Sequence, residues 1–331
     1  MSEPSEVPSP VPVRPEPVHP KEPTPLEGPR RKPRSNLTLR LITAAILIPP
    51  LLYVIYQGGV WVLATVLLIT MIGLTEFYDM IEAKGAEPLR TFGMVAAAAL
   101  QVVAYLGSEY VATLMLSAVL LGVMVAQLGK ARISESLASI SGTFFGVFYV
   151  GWLLSHAIVL RDFTDNVARR FGPEATANLN PDAGFFYLLF TIVVVIGGDA
   201  GAYFAGRAYG RRKLAPRISP NKTVEGALGA VVSGTLFGVG LKAFFDAQLP
   251  WLAPDFGYAF CVATCVVLSV VGMLGDLVES LLKRDARLKD SGGLLPGTGG
   301  VLDRIDSNLL AIPVMYYLLL ASTFVSISMR S

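Results

Sequence analysis

Long apolar segments alternate with short polar ones along most of the chain. Each apolar segment has about 20 residues and is bounded by glycine, proline or charged residues. Because about 20 apolar residues in a helix cross roughly 30 Å of hydrocarbon, the pattern predicts nine transmembrane helices and an all-α, polytopic membrane fold. The nine segments are 38–56, 60–81, 91–106, 110–128, 140–160, 184–206, 226–246, 257–279 and 308–328.

Composition agrees with this pattern. Of the 331 residues, 53% are hydrophobic and only 16% are charged, compared with about 25% charged residues in soluble domains. A net charge of +2 gives no reason to expect a nucleic-acid partner, so the lipid bilayer is the expected environment. Cys261 and Cys265 lie one helical turn apart in an apolar segment, which favours simple buried or lipid-facing thiols over a disulfide.

The first 35 residues differ from the rest. They are rich in proline and contain few large apolar side chains, so residues 1–35 are predicted to form a disordered cytosolic tail. The tail lacks the apolar core of a signal peptide, and the first apolar segment is therefore expected to remain as an anchor. Residues 36–331 are predicted to form one multi-pass membrane domain.

The distribution of positive charge predicts the orientation. If the tail lies inside, most of the 27 lysine and arginine residues fall on the inside segments. The positive-inside rule then places the N-terminus in the cytoplasm and the C-terminus outside the plasma (inner) membrane. The loops after the sixth and eighth apolar segments, which hold the residues suited to chemistry, are then expected to face the cytoplasm.

The sixth apolar segment carries charged residues into the membrane. Asp199, Tyr203 and Arg207 are spaced at i, i+4 and i+8 and share one helical face. Because a carboxylate at membrane depth is costly, Asp199 is expected to face a protein interior or a polar cavity. An internal ion pair that joins helices is the alternative.

A basic loop follows this segment and ends at Ser219, Asn221, Lys222 and Thr223, where the seventh helix is predicted to begin. A helix N-terminus with hydroxyls and a lysine favours phosphate. The loop is not a P-loop, because the glycines of that motif are absent before Lys222. Basic loops beside a bilayer also serve as topology signals or contact anionic lipids, which is the alternative interpretation.

Acidic residues cluster around the end of the eighth apolar segment and the start of the ninth. Asp276, Glu279 and Lys283 share one helical face, while Asp303 and Asp306 follow at i and i+3. Carboxylates from two helices beside phosphate-binding cations suit Mg²⁺ when substrate phosphates complete its coordination. The residues thus predict metal-assisted chemistry on phosphates at the cytoplasmic face, with transfer, hydrolysis and transport all left open.

Zinc and serine-nucleophile chemistry fit poorly, because the chain has only two histidines. His19 lies in the tail. His156 lies in the fifth apolar segment, where a hydrogen-bonded core histidine is expected.

Two stretches carry a resemblance to a known family. Residues 280–306 read SLLKRDARLKDSGGLLPGTGGVLDRID, and residues 199–226 read DAGAYFAGRAYGRRKLAPRISPNKTVEG. Both resemble conserved segments of the phosphatidate cytidylyltransferases, and together they cover about 195–307. The resemblance implies a multi-helix membrane enzyme of phospholipid biosynthesis. Such an enzyme joins CTP and phosphatidic acid to give CDP-diacylglycerol and pyrophosphate, with Mg²⁺ as cofactor.

The resemblance also implies roles for individual residues. One or two metal ions are expected on Asp276, Asp303 and Asp306, and these three with Lys283 are the expected catalytic residues. The glycines of the turn would let its backbone approach the triphosphate closely. The expected substrate-binding residues are Asp199, Arg207, Ser219, Asn221, Lys222, Thr223, Arg284, Lys289, Asp290, Thr298, Gly299, Gly300 and Arg304.

One position departs from the family pattern. The family usually carries a histidine before the Gly-Gly pair, whereas this chain has Thr298. Either that histidine is not an indispensable base, or this protein has altered activity. The first interpretation is favoured, because displacement at phosphorus depends mainly on positioning and charge neutralisation, and phosphatidate already carries an anionic nucleophile.

Rival functions use similar parts. A CTP-dependent polyprenol kinase would direct a lipid alcohol to the γ-phosphorus, and a transporter of anionic lipids or metabolites would also place basic loops beside intramembrane carboxylates. The sequence leaves the oligomeric state open, and a homodimer is one arrangement that it allows.

Overall fold

The structure is a computed structural model that describes residues 48–130, 135–176, 179–254, 256–292 and 299–329. The proline-rich tail predicted over residues 1–35 lies outside the described residues, as does the first part of the first apolar segment.

Helices dominate the described residues, and we number them α1 to α10 in chain order. Seven of them are long and apolar enough to cross a membrane, namely α2, α4, α5, α7, α8, α9 and α10. The helix α3 is apolar but shorter, and α1 is described only in part. The polytopic membrane fold is thus confirmed, whereas the count of nine spans is not. The helices are α1 (48–57), α2 (Gly59–Ala83), α3 (Arg90–Leu106), α4 (Glu109–Gln127), α5 (Ser136–Arg161), α6 (Phe163–Phe171), α7 (Ala183–Tyr209), α8 (Val224–Gln248), α9 (Tyr258–Asp285) and α10 (Leu302–Ser328).

Two helices extend beyond the apolar segments that predicted them. The helix α9 continues to Asp285 instead of ending at residue 279, and α10 begins at Leu302 instead of residue 308. Hydropathy detects only the apolar part of a helix, so it missed these polar turns. As a result, Asp285, Asp303 and Asp306 lie on regular helix and not in a loop.

The helix α5 contains a π-helical turn over Val147–Trp152. A π turn leaves a carbonyl oxygen outside the usual ladder of hydrogen bonds. Here the Gly151 carbonyl accepts a hydrogen bond of 2.8 Å from the buried side-chain amide of Gln101 on α3. The turn therefore ties α3 to α5.

Small residues allow α7 and α8 to pack closely. A Cβ added at Gly201 would lie 2.5 Å from the carbonyl oxygen of Gly229, and one at Gly229 would lie 2.3 Å from the Cβ of Ala205. Glycine at a helix crossing lets two backbones approach in this way. The crossing brings the beginning of α8 against the end of α7.

The loop between α7 and α8 forms a short β-hairpin. Its strands are β1 (Lys213–Ala215) and β2 (Ser219–Thr223), which pair antiparallel with Lys213 opposite Thr223 and Ala215 opposite Ser219. The sequence analysis treated this basic stretch as a loop and did not predict the hairpin, which is small enough to leave the all-α fold class unchanged. The hairpin holds the predicted phosphate-binding residues in a defined backbone conformation.

Candidate active site

The predicted site residues gather where α9 and α10 cross. A Cβ added at Gly275 on α9 would lie 2.6 Å from the carbonyl oxygen of Asp306 on α10, so the two backbones touch at this point. The contact brings Asp276 beside Asp306, and their carboxylates interact electrostatically. Asp199 on α7 interacts with the same pair. Three carboxylates from three helices thus face one region.

The hairpin supplies a cation to this region. The Nζ atom of Lys222 lies 2.6 Å from the Oδ2 atom of Asp276, and the hydroxyl of Ser280 donates to Oδ1 of the same carboxylate at 3.3 Å. The neighbouring Thr223 is the N-cap of α8, where its hydroxyl oxygen accepts a hydrogen bond of 3.1 Å from the backbone N–H of Gly226. The cap fixes the end of β2 and so the position of Lys222.

Asp303 has a different environment from the other two predicted metal ligands. Its Oδ1 atom accepts a hydrogen bond of 2.5 Å from Lys283. Its Oδ2 atom accepts from the backbone N–H groups of Ser291 at 3.0 Å and Gly300 at 2.7 Å. Lys283 also forms an ion pair with Glu279, which is fully buried. Asp303 therefore links Lys283 to the backbone on both sides of residues 293–298.

The expected metal site stays a prediction. Among the residues that the structure describes, no group of three histidine, cysteine, aspartate or glutamate side chains is close enough together to hold a metal ion. Asp303 differs from Asp276 and Asp306, because both of its carboxylate oxygens already accept hydrogen bonds from this chain. The pair Asp276 and Asp306 still suits a hard divalent cation, since such ions take one or two protein carboxylates together with substrate phosphates.

Glu76 is a buried acid near the site that the sequence analysis missed. It lies on α2 with a relative exposure of 6%. Its carboxylate accepts hydrogen bonds from the backbone N–H groups of Val301 at 3.0 Å and Leu302 at 2.8 Å. The sequence did contain a signal for this residue, because an acidic side chain inside an apolar segment indicates a functional or structural role.

The charged and polar residues of the sixth apolar segment, which corresponds to α7, lie in two different environments. Arg207 donates a hydrogen bond of 3.1 Å to the hydroxyl of Tyr203, as their helical spacing predicts, and both side chains are exposed. Asp199 interacts electrostatically with Asp276 and Lys222. It lies ten residues before Tyr209, a depth of roughly 15 Å along the helix. Asp199 therefore belongs with the carboxylates of α9 and α10.

Arg284 joins α9 to the hairpin. It donates to the carbonyl oxygens of Ile218 at 3.5 Å and Leu288 at 3.3 Å. Thr298 lies outside the described residues, and the other predicted substrate-binding residues differ in exposure. Exposed members of this set are Asn221, Lys289, Asp290 and Arg304, whereas Ser219 and Gly299 are partly buried and Gly300 is buried.

Ion pairs and hydrogen bonds group the polar residues at two ends of the helices. Lys84, after α2, pairs with Asp285 at the end of α9, which is the end that carries the site.

His156 is buried, accepts a hydrogen bond of 3.1 Å from the Tyr317 hydroxyl and donates one of 2.9 Å to the Trp152 carbonyl oxygen. These contacts confirm the expectation of a hydrogen-bonded core histidine.

Comparison with known proteins agrees with these motifs. The sequence profile of the Cytidylyltransferase family matches residues 38–322. Phosphatidate cytidylyltransferase of Synechocystis sp. is 33% identical over 85% of this chain and 95% of its own length, and that of Brucella suis is 32% identical over 85% and 93%. The enzyme of Bacillus subtilis is 47% identical, over 41% of this chain and 48% of its own length. The chain therefore belongs to the cytidylyltransferase family.

Proposed function

We propose that the protein is a phosphatidate cytidylyltransferase, which joins CTP and phosphatidic acid to give CDP-diacylglycerol and pyrophosphate. The observation that carries this proposal is the convergence of Lys222, Asp276 and Asp306 at one end of a group of apolar helices. A phosphate-binding region at the membrane surface suits a substrate whose headgroup is a phosphate. Its two acyl chains can remain in the bilayer, which avoids a cost of about 0.8 kcal/mol for each extracted CH₂ group.

The reaction is a displacement at the α-phosphorus of CTP. An oxygen of the phosphatidate headgroup forms a bond to that phosphorus, and the bond to the oxygen that bridges to the β-phosphorus breaks. Pyrophosphate leaves with the electron pair. Because the attacking oxygen is already anionic, the step needs no strong base. A threonine at position 298 is therefore compatible with activity.

Lysine and arginine side chains of this chain would hold the triphosphate. Lys222 on the hairpin and Lys283 on α9 each pair with carboxylates, and Arg284 connects the same two elements. Charged hydrogen bonds from such groups bind phosphate strongly. In our proposal, a phosphate oxygen replaces Asp276 as the partner of Lys222 when CTP binds. Lys283 keeps its two carboxylate partners and donates its third N–H to phosphate.

Asp276 and Asp306 would hold the divalent cation, and a second ion remains part of the prediction. When bound, Mg²⁺ would neutralise the triphosphate and stabilise the leaving pyrophosphate. Asp303, which the sequence analysis assigned as a third ligand, is better suited to orient Lys283 and the backbone of Ser291 and Gly300. We therefore treat Asp303 as a positioning residue.

We further propose nine membrane spans, with the N-terminus and the active site in the cytoplasm and the C-terminus outside the plasma membrane. The grouping of Lys84, Lys222 and Lys283 at the end that carries the site supports this orientation. The homodimer stays a prediction, which the mass of the detergent-solubilised protein would test.

The test is an assay of purified protein in lipid vesicles with labelled CTP, phosphatidic acid and Mg²⁺. The proposal expects a CDP-lipid and pyrophosphate as products. A polyprenol kinase would instead give CDP and a lipid phosphate when a polyprenol is supplied. A transporter would consume no CTP, and failure to consume CTP with phosphatidic acid would overturn the proposal.

A further inference from the structure

The carboxylate of Glu76 holds the first turn of α10. Its Oε1 atom accepts from the N–H of Val301 and its Oε2 atom from the N–H of Leu302. These backbone groups belong to the residue just before the helix and to its first residue, whose N–H groups have no partner within the helix itself. The partial positive charge of a helix N-terminus also favours a nearby anion. Glu76 thus fastens α10 to α2, although about 225 residues separate them in sequence.

The same carboxylate lies against the backbone on both sides of residues 293–298. A Cβ added at Gly292 would lie 2.4 Å from Oε1 of Glu76, and one added at Gly300 would lie 2.5 Å from Oε2. Only glycine leaves room for the carboxylate at these two positions. Gly292, Gly300 and the start of α10 therefore all lie against the same carboxylate.

This anchor lies next to the reacting groups without being one of them. Asp303 is the second residue of α10, and Asp306 is one turn further along the same helix. Any displacement of the first turn of α10 moves both side chains relative to Asp276 on α9. A displacement of about 1 Å in an active site can reduce turnover about a hundredfold.

We infer that Glu76 is a positioning residue, which sets the place of Asp303 and Asp306 through the backbone of Val301 and Leu302. The inference rests on the proposed function, because the reaction gives these two aspartates their role. Glu76 itself has its carboxylate turned to backbone N–H groups and does not contact substrate in this scheme. The family motifs quoted above lie within residues 199–306, so they do not include this residue.

The first experiment compares Glu76→Gln with Glu82→Gln. Both are on α2, but Glu82 is exposed and pairs with Arg90. Glu76→Gln places an amide NH₂ group where an oxygen now accepts, so we expect kcat to fall at least about tenfold while KM for CTP changes less than about threefold. Glu76→Asp keeps both acceptor oxygens and should retain more activity than Glu76→Gln. Glu82→Gln should behave as the wild type.

A second measurement does not depend on activity. Hydrogen exchange of the peptide that contains Val301 and Leu302 should be faster in Glu76→Gln than in the wild type, with no change in peptides from α8. Unchanged exchange, or wild-type kcat in Glu76→Gln, would overturn the inference. Equal losses of activity and of folded protein would overturn it as well, because they would indicate a purely structural role. If the wild type makes no CDP-lipid, the proposed function fails, while the exchange measurement still tests the anchor.

Discussion

Asp276 has charged neighbours with opposite effects. Lys222 lies 2.6 Å from its carboxylate and stabilises the negative charge, whereas Asp306 and Asp199 repel it. A cation that binds between Asp276 and Asp306 would relieve this repulsion and release Lys222 for a substrate phosphate. When CTP and a metal ion bind, Lys222 can therefore exchange its contact with Asp276 for one with a phosphate, and Asp276 can bind the metal ion.

Lys222 should contribute mainly to binding of CTP. We expect Lys222→Gln to raise KM for CTP by at least about tenfold, because a charged hydrogen bond to phosphate is lost. Steady-state kinetics at saturating phosphatidate would measure this change. Lys213 is the matched control, since it lies on β1 of the same hairpin with an exposed side chain. A similar increase in KM for Lys213→Gln would show that the overall positive charge of the hairpin, and not a specific contact of Lys222, determines CTP binding.

Asp306 should contribute to turnover and to the use of the metal ion. We expect Asp306→Asn to lower kcat at least about a hundredfold and to raise the Mg²⁺ concentration needed for half-maximal activity, because an amide oxygen is a weaker ligand than a carboxylate. A titration of activity with Mg²⁺ would measure both values. Asp79→Asn, at an exposed position on α2 where the carboxylate pairs with Arg90, should leave the titration unchanged. An unaltered Mg²⁺ dependence in Asp306→Asn would contradict the proposed ligand role.

Several of these residues could be predicted from the sequence, and others could not. Charged side chains at the ends of apolar segments, together with the family resemblance, indicated Asp276 and Asp306. Spacing alone did not indicate that Asp303 binds the backbone of Ser291 and Gly300, because helical periodicity says nothing about contacts from a distant loop. Glu76 was missed because the average hydropathy of its segment masks one acid, and its partners lie far away in sequence.

The helices that carry the candidate site contact one another at glycine residues. The helix α8 shows this at Gly229, whose missing side chain allows contact with Gly201 and Ala205 on α7. The pattern of apolar residues predicted that these helices exist, but it could not predict which of their faces meet. The same limitation explains the missed polar turns of α9 and α10, which are helical because they pack against each other and not because they are apolar.

Replacing Gly229 should therefore destabilise the fold. In Gly229→Val, the Cβ atom would lie 2.3 Å from the Cβ of Ala205, so the two helices would have to separate. We expect a loss of about 1–3 kcal/mol in the free energy of unfolding, as for other overpacked sites. Thermal unfolding of the purified protein in detergent would measure the direction and size of the change.

Gly240 on the same helix provides the control for this substitution. A Cβ added there has no neighbour within 4 Å. Because alanine is favoured over glycine in a helix by up to about 1 kcal/mol, Gly240→Ala should be neutral or stabilising. Equal destabilisation by both substitutions would contradict the packing argument.

On the scale of the whole molecule, polar contacts separate into two groups at opposite ends of the long helices. One group holds the candidate site together with the ion pair of Lys84 and Asp285. The other includes Arg169, which donates to the carbonyl oxygen of Leu106 at the end of α3. Successive spans alternate in direction, so every second loop is predicted to lie on the same side. The contacts of Lys84 with Asp285 and of Arg169 with Leu106 each join two such loops or helix ends. The side of the membrane on which each group lies stays a prediction of the positive-inside rule.

The proposed orientation can be tested with single cysteines in cells that express the protein. Both native cysteines, Cys261 and Cys265, have 0% exposure, so they should give little background. We expect Glu174→Cys, at an exposed position between α6 and α7, to react with a membrane-impermeant maleimide in intact cells. We expect Lys213→Cys, on the exposed strand β1, to react only after the membrane is permeabilised. Labelling in the reverse order would place the candidate site outside the cell, away from the cytoplasmic supply of CTP, and would contradict the proposed reaction as well as the orientation.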